Sequence, residues 1–248
     1  WRRDLLGIVG WLETEVRDAG VDVRVSTLAD AEAVLTESPD IVVLATGGTP
    51  RQADVAGAEF TVSTSDVLDG STRLPTSALV YDEEGRHAAM SVAQHLAEQG
   101  TQVTLATPDR LVGRDLGGVS MPTYLAALAR SGVQLLTDHR LVSVEPYGAG
   151  RLALLRHEFQ PSLVTELGVD AVVAELGSTP NDHLFHELKA RSVNGGLLDP
   201  RALQAGTPQP FLATLAPGCF ALVPVGDAVA SRDIHAALLD SLRVLKDV

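Results

Sequence analysis

The sequence predicts an α/β protein, with helices packed on parallel sheets and a small antiparallel meander set among them. Three observations carry this. Apolar runs such as Ile41-Val42-Val43-Leu44-Ala45 and Ala78-Leu79-Val80-Tyr81 are continuous, as in strands covered on both faces. Between such runs lie stretches of helix-forming residues closed by Pro39, Gly100 or Gly132. From His139 to Leu167 the pattern changes to short segments such as Leu141-Val142-Ser143-Val144 and Leu152-Ala153-Leu154-Leu155, which suit antiparallel strands.

Taken in order, residues 4–13 have the spacing of an amphipathic helix, so the sequence reads as starting inside a domain. Val21-Asp22-Val23-Arg24-Val25 reads as a strand, residues 29–35 as a helix, and residues 41–45 as a second strand. Helix, strand, helix, strand is the order of an α/β fold with right-handed crossovers. A link of Thr, Ser, Asp, Gly and Pro fills residues 49–76. The pattern then restarts, with strands at 78–81, 102–106 and 133–136 and helices at 87–99 and 120–131. That is a βαβαβ mononucleotide-binding half. After the meander, residues 171–176 and 219–225 read as strands and 233–247 as an amphipathic helix. The expected domains are a nucleotide-binding one from residues 1–76 and 168–248, and a second, residues 77–167, inserted into it.

Composition excludes several function classes. The net charge of −13 repels phosphate backbones and anionic membranes, which argues against nucleic-acid and lipid partners. No apolar stretch approaches the ~18 residues of a membrane span, and no signal peptide opens the sequence, so the expected location is the cytoplasm. A single cysteine, Cys219, excludes an internal disulfide and an iron–sulfur cluster held by this chain alone, which needs about four thiolates. Opening an apolar strand, Cys219 reads as an inert buried thiol. His183 and His186 share a helix face but lack a third metal ligand nearby. Ser120, in Gly118-Val119-Ser120-Met121-Pro122, lacks the closing glycine of a nucleophile elbow and reads as a helix N-cap.

Three strand ends share one design: Ala45-Thr46-Gly47-Gly48-Thr49-Pro50, Gly177-Ser178-Thr179-Pro180 and Val225-Gly226-Asp227-Ala228. Glycine at a strand's carboxyl end lets backbone approach a bulky ligand, and open α/β sheets bind ligands at that edge. Singly, each also reads as a plain βα turn; their joint order favours a binding edge. Asp227 is suited to accept hydrogen bonds from sugar hydroxyls. His235 stands in the first turn of the last helix beside this edge, placed either for a cofactor contact or for capping and packing.

The order of an Ala-Thr-Gly-Gly strand end, an inserted βαβαβ unit, a Gly-x-x-Pro-Asn turn and a closing Gly-Asp before a helix resembles the Rossmann-like two-dinucleotide-binding flavoproteins. More narrowly it resembles the C-terminal half of the trimethylamine dehydrogenase-like branch of the old yellow enzyme class. That branch includes 2,4-dienoyl-CoA reductases and dimethylglycine or N-methylproline demethylases. The run from Val225 to Ala237 and the ending Leu242-Arg243-Val244-Leu245-Lys246-Asp247 resemble the demethylating members. Nearly the whole chain is covered.

The resemblance implies a flavin-dependent oxidoreductase that demethylates a small N-methylated amine or amino acid and passes electrons to a protein acceptor. It implies FAD or ADP here, with Ala45, Thr46, Gly47, Gly48 and Gly226 giving backbone access and Asp227 holding a ribose or ribityl hydroxyl. Asp233, Ile234 and His235 would present the last helix's first turn to a flavin edge or phosphate. The family's FMN barrel, its 4Fe-4S cysteine set and its Gly-x-Gly-x-x-Gly fingerprint are absent from the sequence. They are expected on an upstream polypeptide or separate subunit, together with the first strand and the substrate-oxidising residues, so no catalytic residue is assigned here. The alternatives are an assembly subunit with vestigial sites and an NAD(P)H-dependent enoate or dienoyl reductase component.

The inserted unit departs from a working dinucleotide site. Glu84, Arg86 and Ala89 stand where the three fingerprint glycines would be, and only alanine is an accepted substitute. Asp82, Glu83 and Glu84 would compete with phosphate for the helix N-terminus. The next strand ends Ala106-Thr107-Pro108, with no acid for a ribose. Weak or absent NAD(P)H binding is expected.

Overall fold

The computed structural model describes residues 6–246. In chain order these form α1 (Leu6–Asp18), α2 (Ala31–Thr36), β1 (Ile41–Leu44), β2 (Gly48–Pro50), β3 (Thr61–Ser63) and α3 (Thr64–Leu68). There follow β4 (Ser77–Asp82), α4 (His87–Glu98), β5 (Gln102–Ala106), α5 (Ser120–Arg130) and β6 (Gln134–Leu136). The meander is β7 (His139–Tyr147), β8 (Gly150–His157) and β9 (Val164–Val169). The last elements are β10 (Ala171–Glu175), β11 (Ser178–Pro180), α6 (His183–Leu188), α7 (Pro200–Ala205), β12 (Ala221–Pro224) and α8 (Ile234–Leu245). Two compact units result. One takes the segment ending at Leu44, residues 182–224 and the segment from Arg243; the other takes residues 45–181 and 225–242.

In the first unit β1 and β12 pair in parallel, Ile41 with Ala221 through Leu44 with Pro224. Val42, Leu44, Leu188, Phe220 and Leu222 are its buried core, with Val34, Leu35, Leu184 and Phe185 packed against them. Asp30 starts α2 by accepting the Ala33 amide at 2.8 Å. Asn194 braces β12, donating to the Leu222 carbonyl and accepting the Leu222 amide, each at 2.9 Å. Residues 21–25 do not form the expected strand. Val21, Val23 and Val25 are exposed, and Arg24 pairs instead with Asp22 at 2.8 Å and Glu37 at 2.6 Å. The alternating pattern was genuine, but a strand needs a paired edge, and no described strand pairs with this segment. No residue of α1 is buried, and Leu6, Val9 and Trp11 are exposed.

The second unit holds a five-stranded parallel sheet, ordered β3-β10-β4-β5-β6. Alternation along β4 splits its two faces. Ala78 and Val80 pack with Met90, Leu96 and Leu128 of the helical layer, while Leu79 and Tyr81 pack with Leu141, Val144 and Leu155 of the meander. The meander is antiparallel, as the alternation in 139–167 predicts. Three features of this unit differ from the sequence reading. Residues 171–175, grouped there with the first domain, pair on both edges within this sheet, their apolar run buried between β3 and β4. β3 lies inside the polar link and exists by pairing to β10. Ser120 is the first residue of α5, and Val119 holds the N-cap position without a side-chain cap.

Among the described residues no helix is long and apolar enough to cross a membrane.

Candidate functional site

The carboxyl ends of β4 and β10 open, within the second unit, onto a cleft of about 320 Å³. Gly48, Gly177 and Ser178 line one part, Glu84 and Arg86 another, and Asp227, Ser231 and Asp233 a third.

The fold brings the three glycine-bearing strand ends together. The first two meet through Asn181: Thr46 Oγ1 donates to its carbonyl at 2.6 Å, and its amide donates to the Gly47 carbonyl at 2.9 Å. β2 and β11 continue this as an antiparallel pair. At Gly48 a Cβ would lie 2.7 Å from Ser178 Oγ and 2.8 Å from the Thr179 carbonyl oxygen, so the close crossing requires glycine. Ser178 joins the second end to the third, its Oγ donating to Asp227 Oδ2 at 3.4 Å.

The third end is held from both sides. Gly226 adopts φ of +63°, a left-handed backbone that suits glycine, and its amide donates to Asp240 Oδ2 at 3.1 Å. Arg232 pairs with Asp240 and donates to the Gly226 carbonyl at 3.3 Å. Asp227 is half-buried, and its Oδ1 accepts the Arg232 amide at 3.1 Å. A carboxylate offers about four lone-pair sites, so these two bonds leave acceptor capacity facing the cleft. Asp233 Oδ1 accepts the Ala236 amide at 2.8 Å, and this bond above all holds its carboxyl below the usual range.

Of the sequence candidates, Gly48, Asp227 and Asp233 line the cleft. Thr46, Gly47 and Gly226 support its rim through the bonds above. Ala45 is exposed and outside the lining, as are Ile234 and His235 in the first turn of α8.

The loop between β4 and α4 has its amides engaged from within. Asp82 is fully buried, and its Oδ1 accepts the amides of Glu84 at 3.0 Å and Gly85 at 2.9 Å. Two N–H groups that a pyrophosphate would need are therefore already engaged. Burial pushes the Asp82 carboxyl up to about 7, against the pull of the Gly85 amide, and Glu175 adds to the rise.

Several wall residues were not legible in the sequence. Thr64 Oγ1 donates to Glu175 Oε2, and the Gly177 amide donates to Glu175 Oε1 at 2.9 Å. Ser231 Oγ accepts the Ser178 amide at 3.1 Å. Thr64 and Ser231 meet partners far away in sequence, so no local pattern marks them. The wall is rich in carboxylate acceptors, which suits a hydroxyl-bearing ligand. Among the described residues no group of His, Cys, Asp and Glu could hold a metal ion.

No family model matches the sequence. Over 248 residues, the whole chain, it is 36% identical to a probable N-methylproline demethylase of Rhizobium meliloti (strain 1021), of which it covers 36%. It is 37% identical over 257 residues to the N,N-dimethylglycine/sarcosine dehydrogenase of Chromohalobacter salexigens, matching 99% of this chain and 37% of that protein. In fold it resembles a 2-naphthoyl-CoA reductase, with a TM-score of 0.71 at 19% identity over 93% of this chain and 30% of the other. The sequence resembles the trimethylamine dehydrogenase-like branch of the old yellow enzyme class, in line with its motifs. It spans little more than a third of the length of these curated relatives.

NADH and NADPH are expected to bind this chain weakly or not at all at the β4–α4 loop. Titration calorimetry checks this. Micromolar NADH affinity that disappears on mutating residues 82–89 would contradict it.

Proposed function

We propose that the chain is the FAD- or ADP-binding portion of a flavin-dependent oxidoreductase that oxidatively demethylates a small N-methylated amine or amino acid. The observation that carries this is Asp227, a half-buried carboxylate with spare acceptor sites where three glycine-bearing strand ends meet. A ribose or ribityl hydroxyl of the nucleotide donates to it. Gly48 allows the close crossing with Ser178 and Thr179 at the cleft wall, and Asp233, which lines the cleft, caps the start of α8. The cleft volume fits the sugar portion of a dinucleotide better than the whole of one, so the remainder reaches beyond these walls.

A bound flavin would supply electron relay. This chain's residues orient the sugar and leave substrate oxidation to an FMN barrel with a 4Fe-4S cluster, carried on the remaining length seen in the relatives or on a separate subunit. Electrons then pass to a protein acceptor. The names of the relatives support the demethylation, and the exposed apolar α1 suits packing against such a segment. A cytoplasmic setting fits the single free thiol of Cys219.

The absorbance spectrum of the purified holoprotein tests the reading. Flavin bands together with releasable FAD or ADP are expected. A colourless, nucleotide-free protein would favour an assembly role with vestigial sites.

A further inference from the structure

We infer that Glu84 and Arg86, which occupy positions where a dinucleotide fingerprint has glycine, are positioning residues for Asp227. The inference rests on the reading above, in which Asp227 holds a sugar hydroxyl.

The connection runs through one peptide group. The Ser231 carbonyl and the Arg232 amide belong to the same planar unit, so fixing one end fixes the other. Arg86 Nη1 donates to the Ser231 carbonyl at 3.3 Å, and the Arg232 amide donates to Asp227 Oδ1 at 3.1 Å. Arg86 is itself held by Glu84 Oε1 at 3.2 Å, with its side chain 30% exposed.

A second connection runs through Ser231 and Ser178. Ser231 Oγ donates to Glu84 Oε1 at 3.5 Å and accepts the Ser178 amide at 3.1 Å. Ser178 Oγ in turn donates to Asp227 Oδ2 at 3.4 Å. Both oxygens of Asp227 are thus bonded to groups that Glu84 and Arg86 hold in place.

Space agrees with this. Gly177 has φ of +76°, and a Cβ there would lie 2.6 Å from Glu84 Oε2 and 3.1 Å from Ser231 Oγ. Glycine at 177 leaves the gap that the Glu84 carboxylate enters. With the loop amides turned toward Asp82, the β4–α4 turn has no cradle for phosphate, and its two long side chains instead brace the loop that carries Asp227.

A mutant cycle on the holoprotein tests this, using Arg86→Ala, Asp227→Ala and the double variant. Release of FAD is followed by its fluorescence, or of ADP by chromatography of the released fraction. Arg86→Ala should speed release roughly five- to twentyfold, part of what the Asp227 hydrogen bond to the ligand contributes. In the Asp227→Ala background the same change should have almost no effect, a coupling that general destabilisation does not produce. Arg86→Lys keeps a donor for the Ser231 carbonyl and should fall between wild type and Arg86→Ala, with melting temperatures matched across the set. Equal effects of Arg86→Ala in both backgrounds, or none in either while Asp227→Ala speeds release, would overturn the inference and leave the function standing. No change in Asp227→Ala alone would overturn both.

Discussion

Asp82→Asn is expected to raise the melting temperature at pH 8 and to leave it nearly unchanged at pH 4. In the folded protein burial pushes the Asp82 carboxyl up to about 7, whereas in an unfolded chain it titrates near its ordinary value of about 3.9. Between those two values the folded state keeps a proton that the unfolded state has released. Stability from this group is therefore fully present below about pH 4, falls as pH rises through 7, and then levels off. The span amounts to about 4 kcal/mol at most. Glu175 and Asp109 stand near the group and favour its neutral form, and the second carboxylate oxygen is buried without a hydrogen-bond partner. Asparagine keeps a carbonyl oxygen for the amides of Glu84 and Gly85 and carries no charge at any pH. Calorimetric melting of both proteins across pH 4 to 8 gives the answer. A variant with the wild-type pH slope would show that another group titrates.

How much of this was legible in the sequence depends on whether a feature is local. Strands β1 and β4 were readable because each is a continuous apolar run, and in β4 burial on both faces leaves that mark whatever the partner is, whereas Val43 of β1 is exposed. Residues 21–25 show the same logic failing. Their alternation is as clear as in the meander, yet β7, β8 and β9 supply edges to one another and the valine segment has none among the described strands. β3 is the converse, since Thr61-Val62-Ser63 has no strand pattern and is a strand through β10 alone.

The site divides in the same way. Glycine just after an apolar strand run is a local signal, so all three turns could be found, and Asp227 with them. That Ser178 and Asp227 would share a hydrogen bond required the fold. The three carboxylates of the β4–α4 loop were read as competing with phosphate for the helix N-terminus, a charge argument. The structure adds a nearer cause, because Asp82 takes up the loop amides before charge is considered. Arg86 read as a blocked glycine position, and its bond to the Ser231 carbonyl joins residues that no sequence pattern connects.

Asp227→Ala should lower nucleotide retention by roughly ten- to a hundredfold. A carboxylate that receives a sugar hydroxyl in a partly buried site makes a charge-assisted hydrogen bond worth ~1.5–3 kcal/mol, and each ~1.4 kcal/mol is a factor of ten. The substitution also frees the Arg232 amide and Ser178 Oγ, both of which now bond to the carboxylate. Asp227→Asn separates the two contributions. The amide keeps one oxygen to accept from the Arg232 amide while removing the charge, so the loop stays in place and the loss that remains reports on the ligand bond. Retention in Asp227→Asn is expected to lie between that of wild type and Asp227→Ala, with a melting temperature close to wild type once the nucleotide has been removed from both. The measurement is FAD or ADP bound per protein after extensive dialysis of the holoprotein. Full retention in both variants would take Asp227 out of the site, and the assignment of the cleft to a nucleotide sugar would go with it.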